Sequence, residues 1–173
     1  MYQLSKRGFI AVSAGMLGSG CLGSSSSVMD DSDTPQFSAG WEFQSEKPII
    51  DGSGLEGTSG GPLGYATLIH DADTGDRIRW EYLEQISSDF VREFRNVDYA
   101  EQFLSVVEFL VPATHELSGV ETTFEGDEMD VTYELADARP ENREIVVAND
   151  IEKYHVLDAA RPSQINFKVV YQS

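Results

Sequence analysis

The sequence predicts a mainly β domain of the α+β class, folded as a small antiparallel sandwich or partly open barrel with one amphipathic helix at about residues 79–94. Three observations lead to this prediction. Six or seven short apolar runs have the length of strands, and several alternate apolar with polar residues. One segment instead repeats its apolar residues at helical spacing. Most connections are shorter than the dozen or so residues of a parallel crossover, which favours antiparallel order.

The first packed elements are a strand at residues 65–73 and the helix that follows it. The strand ends in a turn at residues 73–76, where Asp, Thr and Gly favour chain reversal. Within residues 78–94, Trp80 and Phe90 fall on one helical face with other apolar residues, and the acids fall on the opposite face. We therefore expect one helix that covers one opening or face of the sheets.

The rest of the chain is predicted to form strands. Residues 102–111 are apolar enough to form a central strand, and Pro112 stops them. Residues 117–124 and 128–135 are predicted to pair as a hairpin, because the second run alternates strictly and Gly126 can take a positive φ in the turn.

Two short strands, at residues 144–149 and 151–157, and a last strand at residues 165–171 complete the prediction. About 130 residues are enough for one hydrophobic core. We assign residues 65–173 to a single β-rich globular domain.

The residues before this domain predict an approach segment. Residues 41–64 are rich in glycine and are expected to be flexible, apart from an edge strand near residues 41–44. Residues 21–40 are expected to be a disordered tether, since a Ser run, an Asp cluster and Pro35 cannot build a core.

Residues 1–20 predict an export signal: Lys6 and Arg7 precede an uncharged run that is shorter than the ~20 residues of a membrane span. The stretch Leu17-Gly18-Ser19-Gly20-Cys21 resembles a lipobox, although Leu17 stands one place early. The stretch Ser5-Lys6-Arg7-Gly8-Phe9-Ile10 resembles a twin-arginine export motif with Lys6 in place of the first arginine, so the route stays open between that pathway and general secretion.

Cys21 is the only cysteine, which excludes an intrachain disulfide. We predict that it is the lipid-attachment site and that it holds the protein at the outer face of the cell membrane. The lipobox resemblance implies a two-chain anchor, which holds more firmly than a single lipid. A plain cleaved signal peptide with an incidental cysteine is the alternative.

The charge balance restricts the partners. Thirty acidic residues oppose twelve basic ones, for a net charge of −18. Such an excess repels nucleic acid and anionic membrane surfaces, so we expect no nucleic-acid partner. Dispersed acids with only four lysines resemble proteins of salt-loving archaea. High salt screens their repulsion, with a Debye length of about 3 Å at ~1 M. An ordinary acidic surface protein is the alternative.

The stretch 57-GTSGGPLG-64 overlaps two serine-hydrolase motifs at Ser59. The chymotrypsin-like arrangement requires a histidine upstream, but His70, His115 and His155 all follow Ser59. The α/β-hydrolase arrangement requires a helix directly after the serine, and Gly60-Gly61-Pro62 starts none. We therefore predict no catalytic residue.

Cofactor and metal motifs are equally incomplete. Residues 52–57 match G-x-G-x-x-G, but no helix is predicted to follow them. Residues 71–76 resemble a calcium loop without its required Gly and Glu positions, and aspartates that cap the next helix explain them better. The acidic residues within 125–130 could also collect cations, but the tip of a hairpin on an acidic surface explains them more simply. The histidines have no metal-ligand spacing. We predict no cofactor and no metal site.

Two family resemblances rest on the arrangement over about residues 65–171: a strand, the amphipathic helix, residues 97–109, the hairpin and the late strands. The arrangement resembles lipobox-bearing haloarchaeal surface proteins of unknown function. It also resembles the C-terminal domain of the protease-complex subunit PrcB family, although residues 113–119 stand where that family has a T-G-G-Y-like motif. The resemblance implies a non-enzymatic accessory or binding domain.

From these features we expect a non-enzymatic binding or structural module on the surface of a halophile, anchored to the membrane through Cys21. Its partner would be a surface protein, a glycan or a solute. Two alternatives stay open: a hydrolase that uses Ser59 or carboxylates, and a regulator of a surface protease.

Overall fold

Seven strands and three helices form the part of the chain that the computed structural model describes, residues 34–55, 63–112, 114–137, 146–156 and 161–172. The strands are β1 (Gln36–Ser45), β2 (Gly64–Ile69), β3 (Gln102–Val111), β4 (His115–Glu125), β5 (Glu128–Asp137), β6 (Val146–His155) and β7 (Gln164–Tyr171). The helices are α1 (Ala72–Gly75), α2 (Trp80–Ile86) and α3 (Ser88–Arg95). The predicted mainly β, α+β fold is confirmed.

The described strands form two separate sheets, as in a sandwich, and do not close into a barrel. One sheet has the order β1-β6-β3-β2 and is antiparallel throughout, and the other has the order β4-β5-β7. The expectation of antiparallel order is wrong for one pair, because β5 and β7 run parallel. The chain passes through β6 of the other sheet between them, which gives it the length that a parallel connection requires.

β3 lies at the centre of the four-stranded sheet and contributes to two cores, as its continuous apolar run predicts. Phe103, Val107 and Phe109 pack against the three-stranded sheet. Leu104 and Val106 point the other way and pack under the helices. The protein therefore has three layers, with the four-stranded sheet in the middle.

The predicted single helix is two helices in the structure. Ser87 has an extended backbone, with φ −157° and ψ 108°, and separates α2 from α3. Its hydroxyl accepts a hydrogen bond from the backbone N–H of Phe90 at 3.4 Å and so caps α3. The apolar face remains continuous, because Leu83 and Phe94 are both buried in the same core. None of the described helices is long and apolar enough to cross a membrane.

The fold begins well before residue 65. β1 starts at Gln36, within the segment predicted as a tether, and pairs with β6 as an edge strand. Trp41 stacks on Phe43 and packs on Phe90 of α3, which fixes β1 to the helical layer. After β1, Ile49 is fully buried. The prediction of a flexible segment is therefore wrong for the described residues 46–55.

Two further strand predictions have different outcomes. The hairpin is confirmed: β4 and β5 pair in register, and Gly126 has φ 63° in the turn. The two short strands predicted around residue 150 are instead one strand, β6, because Asp150 is buried inside the sheet and pairs with both neighbouring strands.

Candidate functional site

Three carboxylates lie on the face of the four-stranded sheet that packs on the three-stranded sheet. Glu42 of β1 stands directly opposite Asp150 of β6, and Glu152 lies two residues further along β6 on the same face. Two tyrosines, Tyr133 of β5 and Tyr154 of β6, are buried among them. We call these five residues the intersheet acid cluster.

Each tyrosine of the intersheet acid cluster donates to one carboxylate. The Tyr133 hydroxyl donates to Asp150 Oδ2 at 2.7 Å, across the interface between the sheets. The Tyr154 hydroxyl donates to Glu152 Oε2 on its own strand. Asp150 is only 6% exposed. The polar groups therefore satisfy one another inside an otherwise apolar interface.

The intersheet acid cluster favours the neutral form of Asp150 and Glu152. Burial raises the pKa of Asp150 well above its ordinary value, and the charge of Glu152 raises it further, while the Tyr133 hydrogen bond lowers it by less. Burial also raises the pKa of Glu152, against the lowering effect of the Tyr154 hydrogen bond. The pKa values of both tyrosines are raised by burial and by the adjacent carboxylates. Chemically, the cluster can bind and release protons.

A fourth buried carboxylate, Glu108 of β3, lies on the opposite face of the same sheet and is fully buried. Its Oε1 accepts hydrogen bonds from the backbone N–H groups of Ile49 and Ile50, the latter at 3.0 Å. Burial raises the pKa of Glu108, and these two hydrogen bonds lower it by less. Glu108 thus holds the segment after β1 against the centre of the sheet.

Asn149 of β6 stands opposite Glu108 and completes this polar group. Its side-chain amide donates to Ser45 Oγ at 2.7 Å and to the Val147 carbonyl at 3.1 Å. Within the described residues, Glu108 Oε2, Asn149 Oδ1 and the Ser53 hydroxyl are buried without a partner at hydrogen-bond distance and angle. The Ser53 hydroxyl still lies close enough to Glu108 to lower its pKa.

Two residues singled out by sequence motifs lie outside the described residues: Cys21, the predicted lipid-attachment site, and Ser59, the rejected nucleophile.

The three histidines are described and have separate surroundings. His70 follows β2 and packs on the Phe103 ring at 5.5 Å, and His155 contacts the Gln102 side chain at the end of β6. His115 begins β4 and lies 3.6 Å from the Asp137 carboxylate. No group of three or more His, Cys, Asp or Glu side chains within the described ranges is arranged to hold a metal ion.

Asp71 caps a helix, but not the predicted one: the capped helix is α1, in the segment predicted as a turn, whereas Arg79, just before α2, provides no side-chain cap. Its Oδ1 accepts a hydrogen bond from the Thr74 backbone N–H at 2.7 Å, and its Oδ2 accepts one from the Thr74 hydroxyl at 3.1 Å. The capped element, α1, is a single turn. These bonds lower the pKa of Asp71, so its charge stabilises the start of the helix.

Sequence reasoning did not find the intersheet acid cluster or Glu108. A signal was present for Glu108, since it is the only charged residue in the apolar run of residues 102–111. Asp150 was instead assigned to a break between two strands.

Comparison of the chain with protein-family models, with curated proteins and with solved structures gives no match.

Proposed function

We propose that this protein is a non-enzymatic binding or structural module on the outer face of the membrane of a halophile, anchored by lipid at Cys21. One observation carries the non-enzymatic part. Among the described residues, the carboxylic acids whose pKa is raised are engaged inside the packed layers: Asp150 and Glu152 by tyrosine hydroxyls, and Glu108 by backbone N–H groups. A catalytic acid needs instead to meet substrate in a cleft.

The anchor is supported by the order of segments along the chain. A short uncharged run precedes Cys21, and the first strand begins at Gln36. The intervening residues 22–35 can span at most roughly 50 Å, at ~3.5 Å per residue. This length lets the domain stand clear of the lipid surface. Contact there is unfavourable, because the negatively charged domain and an anionic membrane surface repel each other.

The exposed face of the three-stranded sheet supports a high-salt setting. Acidic side chains from neighbouring strands project from it into solvent, among them Glu121, Glu128 and Glu134. Like charges side by side on a sheet destabilise it at low ionic strength, and high salt screens them. Lys168 of β7 is the one basic residue on this described face.

The anchor is tested by mass spectrometry of the mature N-terminus from native membranes. We expect a chain that begins at Cys21 and carries lipid on the thiol. A Cys21→Ser variant should leave the membrane fraction, whereas Ser19→Ala should remain there. An unmodified cysteine, or a mature chain that starts elsewhere, would contradict the anchor.

The non-enzymatic part needs its own test. A fluorophosphonate probe reacts with activated serine nucleophiles, and we expect it to leave the purified protein unlabelled in high salt. Labelling that disappears in a Ser59→Ala variant would establish a hydrolase instead. Affinity capture from the native membrane in high salt, followed by titration with the recovered candidate, then identifies the partner.

A further inference from the structure

We propose that the intersheet acid cluster makes the packing of the two sheets depend on pH: the sheets pack tightly while Asp150 and Glu152 are neutral and loosen along β1 and β6 when these two residues ionise. This property goes beyond the surface-module function and does not depend on the lipid anchor. It would make the strand nearest the tether responsive to external pH.

The placement of the three acids carries the proposal. Glu42 and Asp150 are directly opposed on neighbouring antiparallel strands, which places their Cβ atoms about 4.5–5.5 Å apart. Asp150 and Glu152 are alternate residues of one strand, about 7 Å apart along it. An ionised Asp150, which is buried, is repelled strongly by negative charges at such spacing.

The described surroundings of Asp150 and Glu152 contain no compensating cation. β3 presents Ser105 opposite Glu152 and Val107 opposite Asp150. β5 presents Tyr133, and β4 presents Thr122 near Tyr154. Among the described residues, no lysine, arginine or histidine acts on the charge of Asp150 or Glu152; the only charged groups that do so are the cluster's own acids.

The direction of the pH effect follows from proton linkage. The raised pKa values of Asp150 and Glu152 mean that the folded protein keeps protons that the unfolded chain has already released. Stability from these residues is therefore complete below the ordinary carboxyl range and declines as pH rises toward the folded-state pKa. Most structural aspartates have a lowered pKa and give the opposite trend.

The first experiment is urea unfolding of the full mature chain across pH at about 1 M salt, where the Debye length of about 3 Å screens the surface acids. Between the ordinary carboxyl pKa and the raised pKa of the folded state, each proton that the folded state retains raises the unfolding equilibrium constant about tenfold per pH unit. We expect the wild-type midpoint to fall as pH rises, and to fall less steeply in Asp150→Asn and Glu152→Gln. The exposed-acid control, Glu121→Gln, should keep the wild-type slope.

Glu108, on the opposite face, has its own raised pKa and contributes a slope of the same sign, so the comparison is between each variant and the wild type. Equal slopes in the wild type and Asp150→Asn would overturn the proposal, as would a wild-type midpoint that rises with pH.

A second measurement keeps the proposal testable if the variants fail to fold. Hydrogen exchange of the wild type, corrected for base catalysis, should accelerate with pH in peptides from β1 and β5. Peptides from α2 and α3, which pack on the other face of the sheet, should change less. Uniform acceleration across all elements, or none in β1, would also overturn the proposal.

Discussion

Replacing Glu108 tests whether one buried carboxylate holds the segment after β1 in place. Glu108→Ala removes the acceptor for the backbone N–H groups of Ile49 and Ile50, both of which are buried. An unsatisfied buried donor costs about 1–3 kcal/mol, so two cost roughly 2–6 kcal/mol. Removing a desolvated carboxyl offsets part of that loss. We therefore expect Glu108→Ala to lower the free energy of unfolding by about 3 kcal/mol, a large share of the roughly 5–15 kcal/mol typical of a domain.

Glu108→Gln is the matched variant. Its amide oxygen can accept the same two backbone hydrogen bonds, while its NH2 group takes the position of Oε2, which has no partner among the described residues. Ser53, whose hydroxyl lies near Glu108, and Asn149, which stands opposite Glu108 on β6, offer oxygen acceptors. We expect the free energy of unfolding to stay within about 1 kcal/mol of the wild type, because a neutral acceptor avoids the cost of burying charge.

The assay is urea unfolding followed by the fluorescence of Trp41 and Trp80, at fixed pH in about 1 M salt to screen surface charge. Glu84→Ala, on the exposed face of α2, controls for the loss of one acidic group. Equal losses in Glu108→Ala and Glu108→Gln would refute the hydrogen-bonding argument, since only the alanine variant removes the acceptor. A loss in Glu108→Ala no larger than that in Glu84→Ala would refute it as well.

Two further predictions concern packing and capping, and both are measured by thermal unfolding. Gly64→Ala should destabilise the protein by about 1–3 kcal/mol, because its Cβ would lie 2.3 Å from the Phe167 ring, where β2 meets β7; an unchanged melting temperature would contradict this close approach. Ser87→Ala should cost about 0.5–2 kcal/mol through loss of the α3 cap, and Ser87→Asp, which restores a capping oxygen, should recover most of it. If the aspartate variant is no more stable than the alanine variant, the cap contributes little.

Local sequence patterns predicted the elements whose structure depends on local chemistry. The apolar run of β3, the glycine turn between β4 and β5, and the cap at Asp71 all follow from neighbouring residues. The break at Ser87 was missed because the apolar spacing continues through it. The start of β1 at Gln36 was missed because its pairing with β6 joins residues more than a hundred positions apart.

The buried carboxylates were harder to predict for a different reason. Thirty acids are distributed along the chain, and nothing local separates Asp150, which is enclosed by two sheets, from Asp130 on the outer face. Only the pairing of β1, β6 and β3 brings Glu42 and Asp150 together. Burial of a charged residue is a property of the tertiary structure, and composition does not report it.

The parallel pairing of β5 with β7 also determines the order in which the protein can assemble. The β4–β5 hairpin joins neighbouring residues and can form early, whereas Glu128 pairs with Gln164 only after the chain has crossed to the other sheet and returned. A chain threaded unfolded through a secretion channel would keep one edge of β5 open until Tyr171 had emerged. Folding before export would remove that interval, during which an open strand edge can pair with another chain.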